Sequence, residues 1–266
     1  MAFAVPGAGA HDYSPCRYGT SKLLFRGPGH DLSGDYVAVL GGTDAYGKYV
    51  RRPYPELVEG LSGVPVVNLG CVNAGPDAYL NDPGTLEVAG RAQVAVVQVM
   101  GATNLSNRLY AVHPRRNDRF LRASPALRAL FPQVDFTEFH FIRHMLSALQ
   151  TAAPDRFEVV AEELRTAWVA RMTALLTHLP EVVLLWLGDR PPPAPGAPAD
   201  LHHEPRLVDS AMIGAIRPKA SVWVEVVDGT PASVPPGGLP LPTGMPGPET
   251  HRAAAQALAD VVRRLI

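Results

Sequence analysis

Three polar residues stand at places in this sequence where a hydroxyl, a carboxamide and an imidazole could act together: Thr43, Asn104 and His251. A hydroxyl is a weak nucleophile until a neighbouring base takes its proton, and a developing oxyanion needs donors already aimed at it. Such groups are useful only if the fold brings them to one point. Thr43 follows one apolar run, Asn104 follows another, and His251 opens a helical pattern in which His251, Ala254, Leu258, Val261 and Leu265 share a stripe. That spacing turns the ring inward. A histidine on an apolar stripe also reads simply as a buried, hydrogen-bonded structural residue, so convergence of the three positions has to carry the functional reading.

Other clusters offer different chemistry. His113 to Arg119 places Arg115, Arg116 and Arg119 within five residues. Their forked guanidinium donors suit a phosphate, sulfate or carboxylate, while a solvated loop with an internal arginine pair to Asp118 is the structural alternative. Arg17 to Lys22 is a weaker basic segment without P-loop spacing. His140 and His144 stand four apart beside Arg143 and Ser147, opposite an apolar face of Phe139, Ile142, Met145, Leu146 and Leu149. Two histidines so spaced could share a metal, but no glutamate of an HExxH pattern lies between them and no third ligand follows. That face therefore reads as solvated or as an interface, and His202-His203-Glu204 reads as surface. Neither a metal nor a cofactor is expected.

The elements that must position these groups follow from apolar runs and helical periods. Tyr36 to Gly41, Val64 to Leu69, Gln93 to Met100, Val182 to Leu187 and Ser221 to Val227 are short and nearly all apolar, as strands covered on both faces are. Helical patterns lie at Pro55 to Leu61, more weakly at Asp77 to Ala89, and at Phe136 to Leu149, Arg156 to Leu179 and Glu249 to Leu265. Alternating strands and helices predict an α/β three-layer sandwich, a mainly parallel five-stranded sheet with helices on both faces. Strand carboxyl ends and following helix amino ends then share one edge, where open α/β folds bind ligands.

Asp135 with Glu138 and Asp155 with Glu158 have capping-box spacing and predict two helix starts. In the longest helix Phe157, Val160, Leu164, Trp168, Leu175 and Leu179 form the apolar stripe, with Arg156, Glu163 and Arg171 away from it. Segments rich in proline and glycine, near 188–215 and 229–248, predict long loops.

The chain has 266 residues, 47% of them hydrophobic and 18% charged, with a net charge of -1. This suits one folded domain over residues 1–266, excludes a disordered chain as a whole, and offers no general attraction to nucleic acid or to an anionic membrane. Cys16 and Cys71 fit no CxxC pattern, and free thiols in a reducing compartment are expected. Met1 to Ala10 lacks the basic and apolar regions of a leader, and no run of about 18 apolar residues could span a bilayer. A cytoplasmic protein is expected, and a homo-oligomer is compatible with the sequence.

Four blocks occur in order: Gly41-Gly42-Thr43-Asp44, Asn68-Leu69-Gly70-Cys71-Val72-Asn73-Ala74-Gly75, Gly101-Ala102-Thr103-Asn104 and Pro248-Glu249-Thr250-His251. In order and strand context they resemble the signature of the SGNH, or GDSL-like, hydrolases. The resemblance implies Thr43 at the position of the nucleophilic serine, His251 as its base, and Gly75 with Asn104 at the oxyanion site, beside Asp44 and Asn73 as substrate contacts. Asn107 is an alternative donor, because the third block carries an extra residue.

Threonine stands where the family has serine, and Pro248 where it has the acid before the histidine, so Glu249 or Asp228 would orient the ring. The implied activity is hydrolysis or transfer of an ester-linked acyl group on a small-molecule or glycan substrate, with the arginine cluster holding an anionic group. Two alternatives stay open: a catalytically degenerate module binding an anionic glycan or metabolite, and a transferase using a phosphorylated or sulfated donor. The first reading expects Thr43 within reach of His251. It also expects at least one of Arg115, Arg116 and Arg119 at the same cavity.

Overall fold

The computed structural model describes residues 13–229, 241 and 244–266. Seven strands lie among them: β1 Val37–Leu40, β2 Val66–Asn68, β3 Val94–Gln98, β4 Tyr110–His113, β5 Arg116–Ala123, β6 Glu181–Gly188 and β7 Val222–Val227. The helices are α1 Thr43–Tyr46, α2 Tyr54–Ser62, α3 Pro76–Leu80, α4 Pro83–Gly90, α5 Pro125–Leu130, α6 Ile142–Ala152, α7 Pro154–Thr177, α8 Ser210–Ile216 and α9 Pro248–Leu265. All five strands expected from apolar runs are present, and they form one parallel sheet in the order β2-β1-β3-β6-β7.

Because side chains alternate along a strand, the sheet feeds two cores. Val37, Val39, Val96 and Leu185 pack with Tyr54 and Val58 of α2 and with Ala254 and Leu258 of α9. On the other face Ala38, Leu40, Leu184 and Trp186 meet Tyr79 of α3 and Leu164, Trp168 and Met172 of α7. Each large side chain so buried contributes on the order of 2 kcal/mol, so the frame is set by the sheet and its two helix layers. The chain runs from β1 outward to β2 and then returns to the far side of β1 as β3, placing the reversal of strand order between β1 and β3.

Several local expectations change. The arginine cluster is no loop: β4 and β5 pair antiparallel across it as a separate two-stranded ribbon. The pattern begun at Phe136 divides into a single turn over Phe136–Glu138 and then α6. Asp135 caps only that turn, through Thr137 N. Asp155 lies inside the first turn of α7, which starts at Pro154, so no capping box forms there.

The weak pattern at 77–89 divides into α3 and α4, with Asp82 accepting from Thr85 N at the break. Glu163, expected away from the apolar stripe, is buried and takes both the amide and the guanidinium of Arg108. The loop expected over 188–215 ends at Asp209, which caps α8 through Met212 N. The second proline-rich segment lies largely outside the described residues, as does Met1 to Ala10. Cys16 and Cys71 are free thiols, and burial pushes Cys71 up to about 12, which keeps it unreactive. Among the described residues no helix is long and apolar enough to cross a membrane.

Candidate functional site

A cavity of about 590 Å³ opens at the carboxyl edge of the sheet. Its floor is made by Thr43 and Asp44 after β1, by Gln98 at the end of β3 with Gly101 and Asn104 beyond it, and by Leu187 near the end of β6. It therefore sits at the reversal of strand order, where two neighbouring strands send their following segments apart and leave a crevice.

The floor is tied together through Asn73. Its amide donates to Thr43 Oγ1 at 3.1 Å, and the Thr43 hydroxyl donates to Asn73 Oδ1 at 3.3 Å. Asn104 Nδ2 donates to the Asn73 carbonyl at 2.9 Å, and Asn73 Nδ2 reaches Asp118 Oδ2 on β5 at 3.4 Å. Thr43, Asn73, Asn104 and Asp44, from the first three of the four sequence blocks, thus lie together at the cavity.

His251 is not brought to this group. It is buried as its helical stripe required, but it points at α2: Tyr54 N donates to Nδ1 at 3.0 Å and the two rings stack at 5.9 Å. A backbone amide can only donate, so Nδ1 accepts and the hydrogen of the neutral ring is assigned to Nε2. Burial, with Arg26 nearby, lowers its pKa to about 3. His251 does not line the cavity and makes no hydrogen bond to Thr43. The expected nucleophile and base pair is therefore absent from the geometry.

Other implied residues are also committed elsewhere. The Gly75 amide is already spent on Asn117 Oδ1. Asn107 spends its oxygen on the amides of Leu109 and Tyr110 and its nitrogen on the Leu105 carbonyl. Glu249 is paired with Arg252 on the exposed side of α9, so it does not orient the imidazole, and Asp228 accepts from Thr250 Oγ1.

Arg115 and Arg116 are exposed on the β4–β5 ribbon, and none of the three arginines of the cluster lines the cavity. Arg119 acts indirectly: its guanidinium lies 4.3 Å from the ring centroid of Phe141, which does line it. The Arg17 to Lys22 segment turns back on itself through Arg17 Nη1 and the Lys22 carbonyl, and it contributes nothing to the cavity.

Besides Asp44 and Asp118, the cavity draws charged groups from two segments that the sequence left at the surface. At the start of α6, Arg143, His144 and Ser147 line it, and the His144 ring stands edge-on to Phe139 at 5.0 Å. No carboxylate among the described residues pairs with Arg143. From the segment before α8, Glu204 and Arg206 line it and pair with each other. The signal for the first group was present: a polar stripe opposite an apolar one on an amphipathic helix that follows the third strand. What hid it was the equal fitness of such a stripe for water.

Asp44 is the most perturbed acid here. Burial, then the Glu204 carboxylate, push its pKa up to about 7, against the opposing effects of Gln98 and Arg206. The residue keeps some exposure because the cavity reaches it.

Comparison with solved structures finds chains of similar outline at low identity. A carbohydrate esterase family 2 enzyme with a carbohydrate-binding domain, from Corynascus thermopiles (Myceliophthora fergusii), is 14% identical at a TM-score of 0.44, over 90% of this chain and 68% of that one. A carbohydrate acetylesterase family member from Sinorhizobium meliloti is 14% identical at 0.39, over 86% and 98%. An acetyl xylan esterase from the rumen bacterium Butyrivibrio proteoclasticus is 11% identical at 0.42, over 91% and 66%. No curated protein matches the sequence. One family model does, across residues 1–266, and the chain belongs to that family, described as a domain of unknown function, DUF6473.

Proposed function

We propose that this chain binds a small anionic, carbohydrate-like molecule in the cavity at the carboxyl edge of its sheet. The observation that carries the reading is the division of the site. The cavity gathers polar groups from many segments, while His251 has its acceptor nitrogen spent on Tyr54 and leaves Thr43 without that base. Arg143, His144 and Ser147 supply the donors for an anionic group, in place of Arg115, Arg116 and Arg119. Phe141 and Tyr49 offer apolar faces for a sugar ring, and Asn73 and Asn104 offer amides for its hydroxyls.

A thermal-shift screen of uronic acids, sugar phosphates and sulfated sugars, with their neutral parents as controls, tests this. Anionic members should raise Tm and the parents should do so less, because binding to the native state alone stabilises it. Arg143→Gln should remove the preference, and Arg116→Gln should leave it unchanged. Equal responses to charged and neutral sugars, or none to either, would sink the reading.

A second reading, ester hydrolysis, is favoured by one observation: the Thr43 hydroxyl lies on the cavity wall, where a bound ester could meet it. Its base would then be the cavity's own histidine, His144. A panel of short-chain acyl esters decides it. Turnover abolished in both Thr43→Ala and His144→Ala but kept in His251→Asn would establish hydrolysis by this route.

A further inference from the structure

We infer that Asp44 is a specificity-determining residue of this cavity, donating a carboxylic O–H to an oxygen acceptor of the bound molecule. The inference rests on the cavity being a ligand site. Its basis is the way the two oxygens of Asp44 are disposed. Oδ2 accepts from Gln98 Nε2 at 3.0 Å, and the Gln98 amide cannot turn over, because its Oε1 already accepts from Ala45 N at 3.1 Å. Oδ1 takes no hydrogen bond from the described residues, and the residue lines the cavity. One oxygen is therefore clamped as an acceptor and the other is left for the ligand.

The surroundings decide in which form that oxygen is presented. Glu204 faces the same cavity and is paired with Arg206, through its guanidinium and through its amide. Behind lies the Tyr54 hydroxyl, fully buried and without a hydrogen-bond partner among the described residues. Across the cavity stand Asp118, Arg143, His144 and the Tyr49 ring. Of two neighbouring carboxyl groups such as Asp44 and Glu204, the more buried one without a cation partner keeps its proton more readily. Arg206 is taken by Glu204, so Asp44 is that one, in keeping with the rise of its pKa to about 7.

A protonated carboxyl donates one hydrogen bond, whereas an ionised one only accepts. Asp44 then selects an acceptor, a hydroxyl, ring or carbonyl oxygen, at the floor. The anionic end of the same molecule is left for Arg143 and His144. Ionisation of Asp44 would both remove the donor and add a second negative charge beside Glu204.

Two measurements test this on the full chain. The carboxyl resonance of Asp44, assigned by its loss in Asp44→Asn, is followed by ¹³C NMR against pH. Titration near neutrality supports the donor, and titration in the ordinary aspartate range overturns it. Affinity for D-glucuronate and for glucose 6-sulfate is then measured by calorimetry at the same pH values. With the donor in place, affinity falls about tenfold for each pH unit above the Asp44 midpoint. In Asp44→Asn, which keeps an N–H donor at every pH, that fall disappears, and in Asp44→Leu affinity is low throughout. Binding that weakens equally with pH in wild type and Asp44→Asn overturns the proposal while leaving the cavity a ligand site. If neither probe binds at any pH, the anionic-sugar reading fails, and the NMR titration alone decides whether Asp44 carries the donor proton.

Discussion

Replacing His251 by asparagine should change how stability depends on pH, in a direction set by two buried groups that oppose each other. In the native chain His251 titrates at about 3 against an ordinary 6.5. Between those values the unfolded chain binds a proton that the native one refuses, so stability rises with pH. Asp44 titrates at about 7 against an ordinary 3.8, so over that range the native chain holds a proton that the unfolded one has released, and stability falls as pH rises. In the shared window, pH 3.8 to 6.5, the two slopes are of opposite sign and about 1.4 kcal/mol per pH unit each. They nearly cancel in the native protein.

His251→Asn removes one of them. Whatever the variant loses at neutral pH, its stability relative to the parent should recover on acidification, by at most about 4 kcal/mol across the window. Relaxation around a charged ring would reduce that figure without changing its sign. Urea denaturation at half-unit pH steps reads it directly, provided the m value stays constant so that midpoints report stability. Asp44→Asn should do the reverse, gaining on the parent as pH rises towards 7. Parallel stability curves for parent and His251→Asn would show that the ring is not held neutral in the native state, and the assignment of its Nδ1 as a buried acceptor would fall with it.

Gly75→Ala should cost about 3 kcal/mol or more, since a Cβ there falls 1.9 Å from the backbone oxygen of Asn104 and neither backbone can yield cheaply; a Tm close to the parent's would contradict this. Trp168→Phe should cost about 1 to 3 kcal/mol, because its indole N–H satisfies the Met100 carbonyl at 2.8 Å and phenylalanine would strand that buried acceptor. Chemical denaturation checks it, and an unchanged midpoint would contradict it.

The frame was readable in the sequence because its signals are strong and repeated. Runs such as Val94–Gln98 are apolar on both faces, which in an α/β chain has few solutions. The floor of the cavity was readable too, since Thr43, Asn73 and Asn104 follow strands whose carboxyl ends must lie together. His251 shows the limit of that logic. Its stripe fixes that the ring faces inward but not which neighbour it meets, and α2 intervenes at Tyr54. The arginine cluster misled for another reason: alternating residues such as Asn117 and Arg119 pair as a strand only with a partner strand nearby, here β4. Arg143 and His144 were visible as a polar helix face, yet no periodicity distinguishes a face turned to a cavity from one turned to water.

The knot of hydrogen bonds around Asn73 also bears on time. Asn73 holds a positive φ of 57°, a conformation that asparagine tolerates better than most residues, and from there it reaches the segments after β1 and β3 and strand β5 at once. With the floor already assembled, arrival of a ligand need not wait for that part of the cavity to form. Association should then be a single concentration-dependent phase. Differences between one ligand and the next should show in how long each stays, more than in how fast it arrives.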